Sequence, residues 1–157
     1  MNTIDPPEPD IDANGVRLWR AGAEDIEQLA PLVRAYWQFD EIPAPRGTVI
    51  SDTLTQWLAR DEHCACWMAG VDGEPVGYLL AVFVFSLEHL GLTAEIDECY
   101  VLPGHRRRGL GASLIRLAEQ GFRERGCTNS SLQVARLNEQ GKRFYRRLGY
   151  GCARATS

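Results

Sequence analysis

Between Val101 and Gly111 the chain reads Val-Leu-Pro-Gly-His-Arg-Arg-Arg-Gly-Leu-Gly, an apolar run that passes through a proline, three arginines and three glycines into a long amphipathic stretch. Few folds can use such a passage. Glycines just before a helix let the backbone close on a ligand, and the unpaired N–H groups of the helix start point at any anion that arrives. The segment calls for a strand that ends at a helix N-terminus. It marks Arg106, Arg107, Arg108, Gly109, Leu110 and Gly111 as a candidate phosphate cradle, with a basic, glycine-containing turn as the plainer alternative.

The flanking sequence supplies matching elements. Val16 to Trp19 suits a short strand, and Ile26, Leu29, Ala30, Val33, Tyr36 and Trp37 recur at helical spacing from Glu24 onward, with Pro31 expected to kink or split that helix. Ile50, Leu54, Trp57 and Leu58 give a second helix to about Arg60. Cys64 to Val71 and Val76 to Phe85 read as strands joined by the hairpin turn Asp72-Gly73. Ala94 to Leu102 reads as another strand, with Glu95, Asp97, Cys99 and Val101 on one face and Ile96, Glu98 and Tyr100 on the other. Three acids in an interior strand are unexpected. Leu110 to about Gly126 is helical, Ser131 to Ala135 a strand, and Asn138 to Leu148 a last helix.

A length of 157 residues, 45% of them hydrophobic, fits one α/β domain. Residues 1–14 read as a loose, acidic, proline-bearing arm and residues 15–157 as the domain. No apolar run reaches the roughly 18 residues of a membrane helix, and the start is unlike a signal peptide, so the expected setting is cytoplasmic and away from membranes. Five cysteines, Cys64, Cys66, Cys99, Cys127 and Cys152, suit reduced, mostly buried thiols. His63-Cys64-Ala65-Cys66 lacks a second ligand pair, so no metal site is expected.

Charge is divided along the chain. Residues 1–98 hold 18 acids against 5 bases, and residues 99–157 hold 3 acids against 12 bases. A basic half can receive a polyanion while an acidic half attracts a cation. Nucleic acid is not expected, since the net charge is −4 and no aromatic platform interleaves the arginines.

Arg106, Gly109 and Gly111 match the signature Q/R-x-x-G-x-G/A, and Asn138, Phe144, Tyr145, Leu148, Gly149 and Tyr150 match a later N…FY..LGF/Y block. In order and spacing the chain from about Val16 onward resembles the GNAT superfamily of N-acetyltransferases. The resemblance implies an acyl-CoA N-acyltransferase fold, α/β in class, with a mixed, largely antiparallel sheet and helices on both faces. It implies acetyl-CoA as co-substrate, no metal, and acetyl transfer to a primary amine by direct attack. Pantetheine would pair with the backbone of Cys99, Tyr100 and Val101, the pyrophosphate would rest on N–H groups from Arg107 to Ala112, and Asn138 would also contact the cofactor.

An amine of pKa about 10.4 must lose a proton before it attacks the thioester. Glu95, Asp97 and Glu98 are the carboxylates available. Glu95 matches by spacing the general base of the family's histone enzymes, and Asp97 with Glu98 matches the acidic pair of its polyamine enzymes; the choice stays open here. The Val101 N–H would steady the oxyanion, and Tyr145 would protonate the departing thiolate. The acceptor is expected to be small and cationic, with a protein or peptide acetyltransferase and a non-catalytic CoA-binding module as alternatives. Arg107 stands where the family often has glycine, and Gly141 where it often has alanine. Only seven residues follow Tyr150, where the family usually has another strand, so that strand is expected to be short, absent or supplied by a partner, favouring a homodimer.

Overall fold

The computed structural model describes residues 12–151. Nine principal elements follow one another: β1 (Val16–Arg20), α1 (Ile26–Phe39), α2 (Val49–Leu58), β2 (Cys64–Val71), β3 (Glu74–Ser86), β4 (Gly91–Val101), α3 (Leu110–Glu124), β5 (Asn129–Leu132) and α4 (Glu139–Arg147). The strands form one sheet in the order β1-β2-β3-β4-β5. The first four are antiparallel to their neighbours, and β5 runs parallel to β4 after the α3 crossover. This is the largely antiparallel α/β architecture expected.

Local chemistry explains the hairpins and caps. Asp72 and Gly73 both take positive φ, at 51° and 83°, which turns β2 into β3 with the twist the strands require. The buried Asp25 carboxylate accepts from Trp19 Nε1 at 3.1 Å and from the Gly22 N–H at 2.8 Å, fastening β1 to the start of α1. Pro31 does not split α1, which is continuous. The proline is exposed, on the side away from the sheet, where water replaces the partner its ring removes.

Two cores lie on opposite faces. One packs Trp67, Leu79, Phe83, Ala94 and Ile96 against Leu114, Ile115, Ala118 and Phe122 of α3. The other packs Cys66, Met68, Tyr78, Leu80 and Tyr100 against Leu29, Val33, Ile50 and Leu54 of α1 and α2. Gly121, inside α3, makes room for an indole: a Cβ there would stand 2.6 Å from Cζ2 of Trp67. Gly121→Ala is therefore expected to destabilise the fold by about 1–2 kcal/mol despite alanine's better helix propensity. Urea unfolding measures this; an increase in stability would mean that the Trp67 contact yields freely.

Two further expectations are corrected. Leu80 pairs with Glu98 and Ala81 with Ile96, so Asp97 is an extra residue, a β-bulge in β4. The bulge resets the alternation: Ile96, Cys99 and Val101 face α3, whereas Glu95, Glu98 and Tyr100 share the α1 face. The last strand is Asn129–Leu132 rather than Ser131 to Ala135, because the parallel pairing with β4 ends at Ile96 and Leu132. Most of the expected N-terminal arm, Cys152 and the end of the chain lie outside the described residues.

Candidate active site

Past Ile96, β4 runs on to Val101 with β3 on one side and, among the described residues, no strand on the other. Cys99, Tyr100 and Val101 lie in this stretch. From its end the chain passes through a short turn, Pro103–His105, into an extended Arg106 and then α3. Arg107 and Gly109 take φ of 63° and 76°, folding the backbone back onto the start of the helix. The Ser113 N–H bonds to the Gly109 carbonyl at 3.0 Å, so the N–H groups of Leu110, Gly111 and Ala112 precede the helical ladder. Exposed Arg107 and Arg108 flank these N–H groups.

Arg107 holds a left-handed conformation that costs a side-chain-bearing residue about 1 kcal/mol. Arg107→Gly is expected to raise stability by about that amount in urea unfolding; a loss of stability would show that the arginine side chain earns its strained backbone. Gly111 lies close to α4, since a Cβ would sit 3.3 Å from Cζ of Phe144. Asn138 caps α4, its Oδ1 accepting from the Gly141 N–H at 2.8 Å. A Cβ on Gly141 would stand 2.6 Å from Asn138 Nδ2, which accounts for glycine where alanine is usual.

Arg106 sits differently from its two neighbours. Its Nε donates to the Val101 carbonyl at 2.8 Å, and its guanidinium lies 4.8 Å from the ring centre of Phe39 and 5.3 Å from that of Tyr100. The side chain thus leans on the end of α1. On α4, exposed Arg143, Arg146 and Arg147 with Gln140 line a shallow cavity of about 270 Å³.

Tyr145 reaches from α4 toward the freed part of β4. Its hydroxyl lies near the Cys99 thiol, and its ring meets Phe144 and Tyr150 edge-on at 5.0 and 6.2 Å. Burial first, then the nearby Cys99, Tyr36 and Tyr150, push the phenol well above the ordinary tyrosine range. Burial likewise pushes the Cys99 thiol up to about 12, partly offset by Tyr145, so it stays protonated and is no nucleophile.

The three acids have different surroundings. Half-buried Glu98 accepts from Trp37 Nε1 at 2.7 Å and from the Tyr78 hydroxyl at 2.6 Å. Burial raises its carboxyl, the two donors lower it, and Asp97 raises it. Asp97, at the bulge, is open to solvent, with its carboxyl raised by the surrounding protein. Glu95 accepts from Gln133 Nε2 at 3.3 Å and faces a cavity of about 970 Å³ along β5, also lined by Ser131 and Tyr150. Among the described residues, no cation shifts Asp97 or Glu98.

Asp97 and Glu98 therefore lie on β4 just past its last pairing with β5, Tyr145 lies against Cys99 on the α3 face of the same stretch, and Glu95 lies further along the strand. Tyr36, Trp37 and Tyr78 join them and were not anticipated. Tyr36, pushed up to about 12 by burial and Asp40, also feels Glu98 and Asp97 and in turn raises Tyr145. A tyrosine inside the apolar run Val76 to Phe85 was the available signal, because a buried hydroxyl needs a partner.

A strand freed along one edge, followed by a glycine turn into a helix N-terminus with an aromatic hydroxyl opposite, is the layout of an acyl-CoA transferase. The family model for the acetyltransferase (GNAT) family matches residues 27–150. The chain belongs to that family of acetyl-CoA-dependent N-acetyltransferases. An uncharacterized N-acetyltransferase of Archaeoglobus fulgidus is 30% identical over 132 residues, covering 83% of this chain and 89% of the relative. The aminoalkylphosphonate N-acetyltransferase of Salmonella typhimurium is 34% identical over 79 residues, 50% of this chain and 51% of that protein. Among solved structures, an aminoglycoside acetyltransferase from an uncultured soil metagenomic sample superposes with a TM-score of 0.78 at 20% identity, over 94% of this chain and 95% of that one.

Proposed function

We propose that the protein transfers the acetyl group of acetyl-CoA to a primary amine of a small cationic acceptor. Pantetheine lies along the freed edge of β4 at Cys99, Tyr100 and Val101, and the pyrophosphate rests on the N–H groups from Arg107 to Ala112, with Arg107 and Arg108 nearby. Asn138 borders the cofactor from the start of α4. The amine, held by the carboxylates on β4, gives up a proton through them or an adjacent water and attacks the thioester carbon. The oxyanion takes a hydrogen bond from the Val101 N–H; collapse breaks the C–S bond, and Tyr145 supplies the proton that the thiolate needs.

The observation that carries this reading is that Asp97 and Glu98, with no cation among the described residues shifting either acid, and Tyr145 beside Cys99 all border the stretch of β4 that β5 leaves uncovered. Acids raised by burial and lacking a cation favour a ligand that brings one. Relatives named for streptothricin, aminoalkylphosphonate and aminoglycoside acetylation support an amine acceptor. The test is CoA thiol release across cationic, neutral and anionic amines and a lysine-containing peptide. Small cationic amines are expected to turn over best; turnover confined to neutral or anionic acceptors, or to the peptide, overturns the acceptor class.

A homodimer in a reducing, cytoplasmic setting belongs to the same proposal. No described strand pairs with the far side of β5, the β3–β4 tip exposes Phe85, Leu87 and Leu90, and the four described cysteines are free thiols. No described helix is long and apolar enough to cross a membrane. Sizing in solution checks the dimer.

A further inference from the structure

Glu98 is the one acid on β4 with both carboxylate oxygens engaged. The donors come from different layers of the fold: Trp37 Nε1 from α1 reaches Oε1 at 2.7 Å, and the Tyr78 hydroxyl from β3 reaches Oε2 at 2.6 Å. Tyr78 is fully buried, and Trp37 is half-buried near the C-terminal end of α1. An indole N–H can only donate, so a glutamine here would have to give its oxygen to Trp37 and its amide N–H to the Tyr78 oxygen, leaving the Tyr78 proton without an acceptor. A carboxylate satisfies both donors and keeps lone pairs for a third.

A tie between helix and sheet does not by itself call for a charge, and a charge in a half-buried place is costly unless something uses it. The other titratable groups around Glu98 do not neutralise it. They are Asp97 beside it on β4, Tyr36 on α1, Tyr78 on β3 and Cys66 on β2, all anionic or neutral. On the same face Tyr36 lies 5.5 Å from Tyr100 between ring centres and Phe39 lies 6.0 Å from it, and the Arg106 guanidinium lies over the Phe39 and Tyr100 rings. An anion gripped from two sides and left with free lone pairs is a receptor for an ammonium group.

We propose that Trp37 and Tyr78 are positioning residues for acetyl transfer: they hold Glu98 ionised and in one orientation, making Glu98, rather than Glu95 or Asp97, the anion that receives the acceptor's amine. This rests on the acetyltransferase reading above. Glu95 faces the β5 cavity and Asp97 opens to solvent in the bulge, so neither has such a grip. Each donor favours the charged form of Glu98, so removing either makes the carboxyl harder to ionise and shifts its titration to higher pH.

The experiment compares Trp37→Phe and Tyr78→Phe with the wild type, recording melting, the KM for each substrate and kcat/KM for a cationic amine across the acid limb. The limb is expected to move up by about one pH unit in each variant, a roughly tenfold loss on the acid side, with the KM for acetyl-CoA unchanged. Melting that falls while the limb stays in place overturns the proposal and leaves the donors as structural ties. If Tyr78→Phe fails to fold, Trp37→Phe carries the comparison alone. A wild type that transfers acetyl to no amine fails the acetyltransferase reading itself. The Glu98 carboxyl titration followed by NMR then still decides the clamp, since an unmoved midpoint in Trp37→Phe overturns it and a raised one supports it.

Discussion

Tyr145→Phe is expected to lower kcat by about 100-fold or more while leaving the KM for acetyl-CoA within about twofold. The phenol lies near Cys99, inside the stretch of β4 that β5 leaves uncovered, where the thioester sulfur is proposed to lie. Phenylalanine keeps the ring contacts with Phe144 and Tyr150 and removes only the hydroxyl. Because burial raises this phenol above the ordinary tyrosine value of about 10, it keeps its proton at neutral and moderately alkaline pH. The wild-type rate should therefore show no alkaline fall caused by Tyr145 below about pH 10. Steady-state kinetics of the variant checks this, and an undiminished kcat removes Tyr145 as the proton donor.

Glu98→Gln is expected to lower kcat/KM for the amine by about 100-fold, again with acetyl-CoA affinity kept. The substitution removes the charge and turns an amide N–H toward Trp37 or Tyr78. The pH dependence has a definite sign. Burial, the largest influence, raises the carboxyl above its free value, so activity that needs the carboxylate is complete well above that raised pKa and fades as pH falls through it. Glu98→Gln should abolish this acid limb. Measured beside it, Glu95→Gln should cost less; an equal or larger loss there would transfer the role to Glu95.

Much of this arrangement was legible in the residues because turn chemistry and periodicity act locally. Asp72-Gly73 announces a hairpin, Leu110, Leu114, Ala118 and Phe122 announce a helix face, and Arg106 to Gly111 announces a glycine turn into a helix start. What escaped reading depends on partners distant in sequence. The bulge at Asp97 is one unpaired residue set by β3, without a compositional mark of its own, and it reverses the faces of every β4 residue beyond it. Val134 alternates with Leu132 as a strand residue would, yet β4 gives up its pairing at Ile96. Trp37 and Tyr36 lie on the apolar stripe of α1 and read as core, and only the fold carries them to Glu98, 61 residues away from Trp37. The position of the Arg106 side chain over Phe39 and Tyr100 likewise depends on residues distant in sequence.

Both substrates are proposed to lie on a single strand, the thioester along the free edge of β4 and the amine on the acids beside it. Titration calorimetry with a conjugate that joins a cationic amine to CoA through an acetyl linker tests this directly. The conjugate is expected to bind at least about 100-fold more tightly than CoA, and Glu98→Gln is expected to erase most of that gain. A conjugate that binds no better than CoA, or a gain untouched by Glu98→Gln, would contradict it.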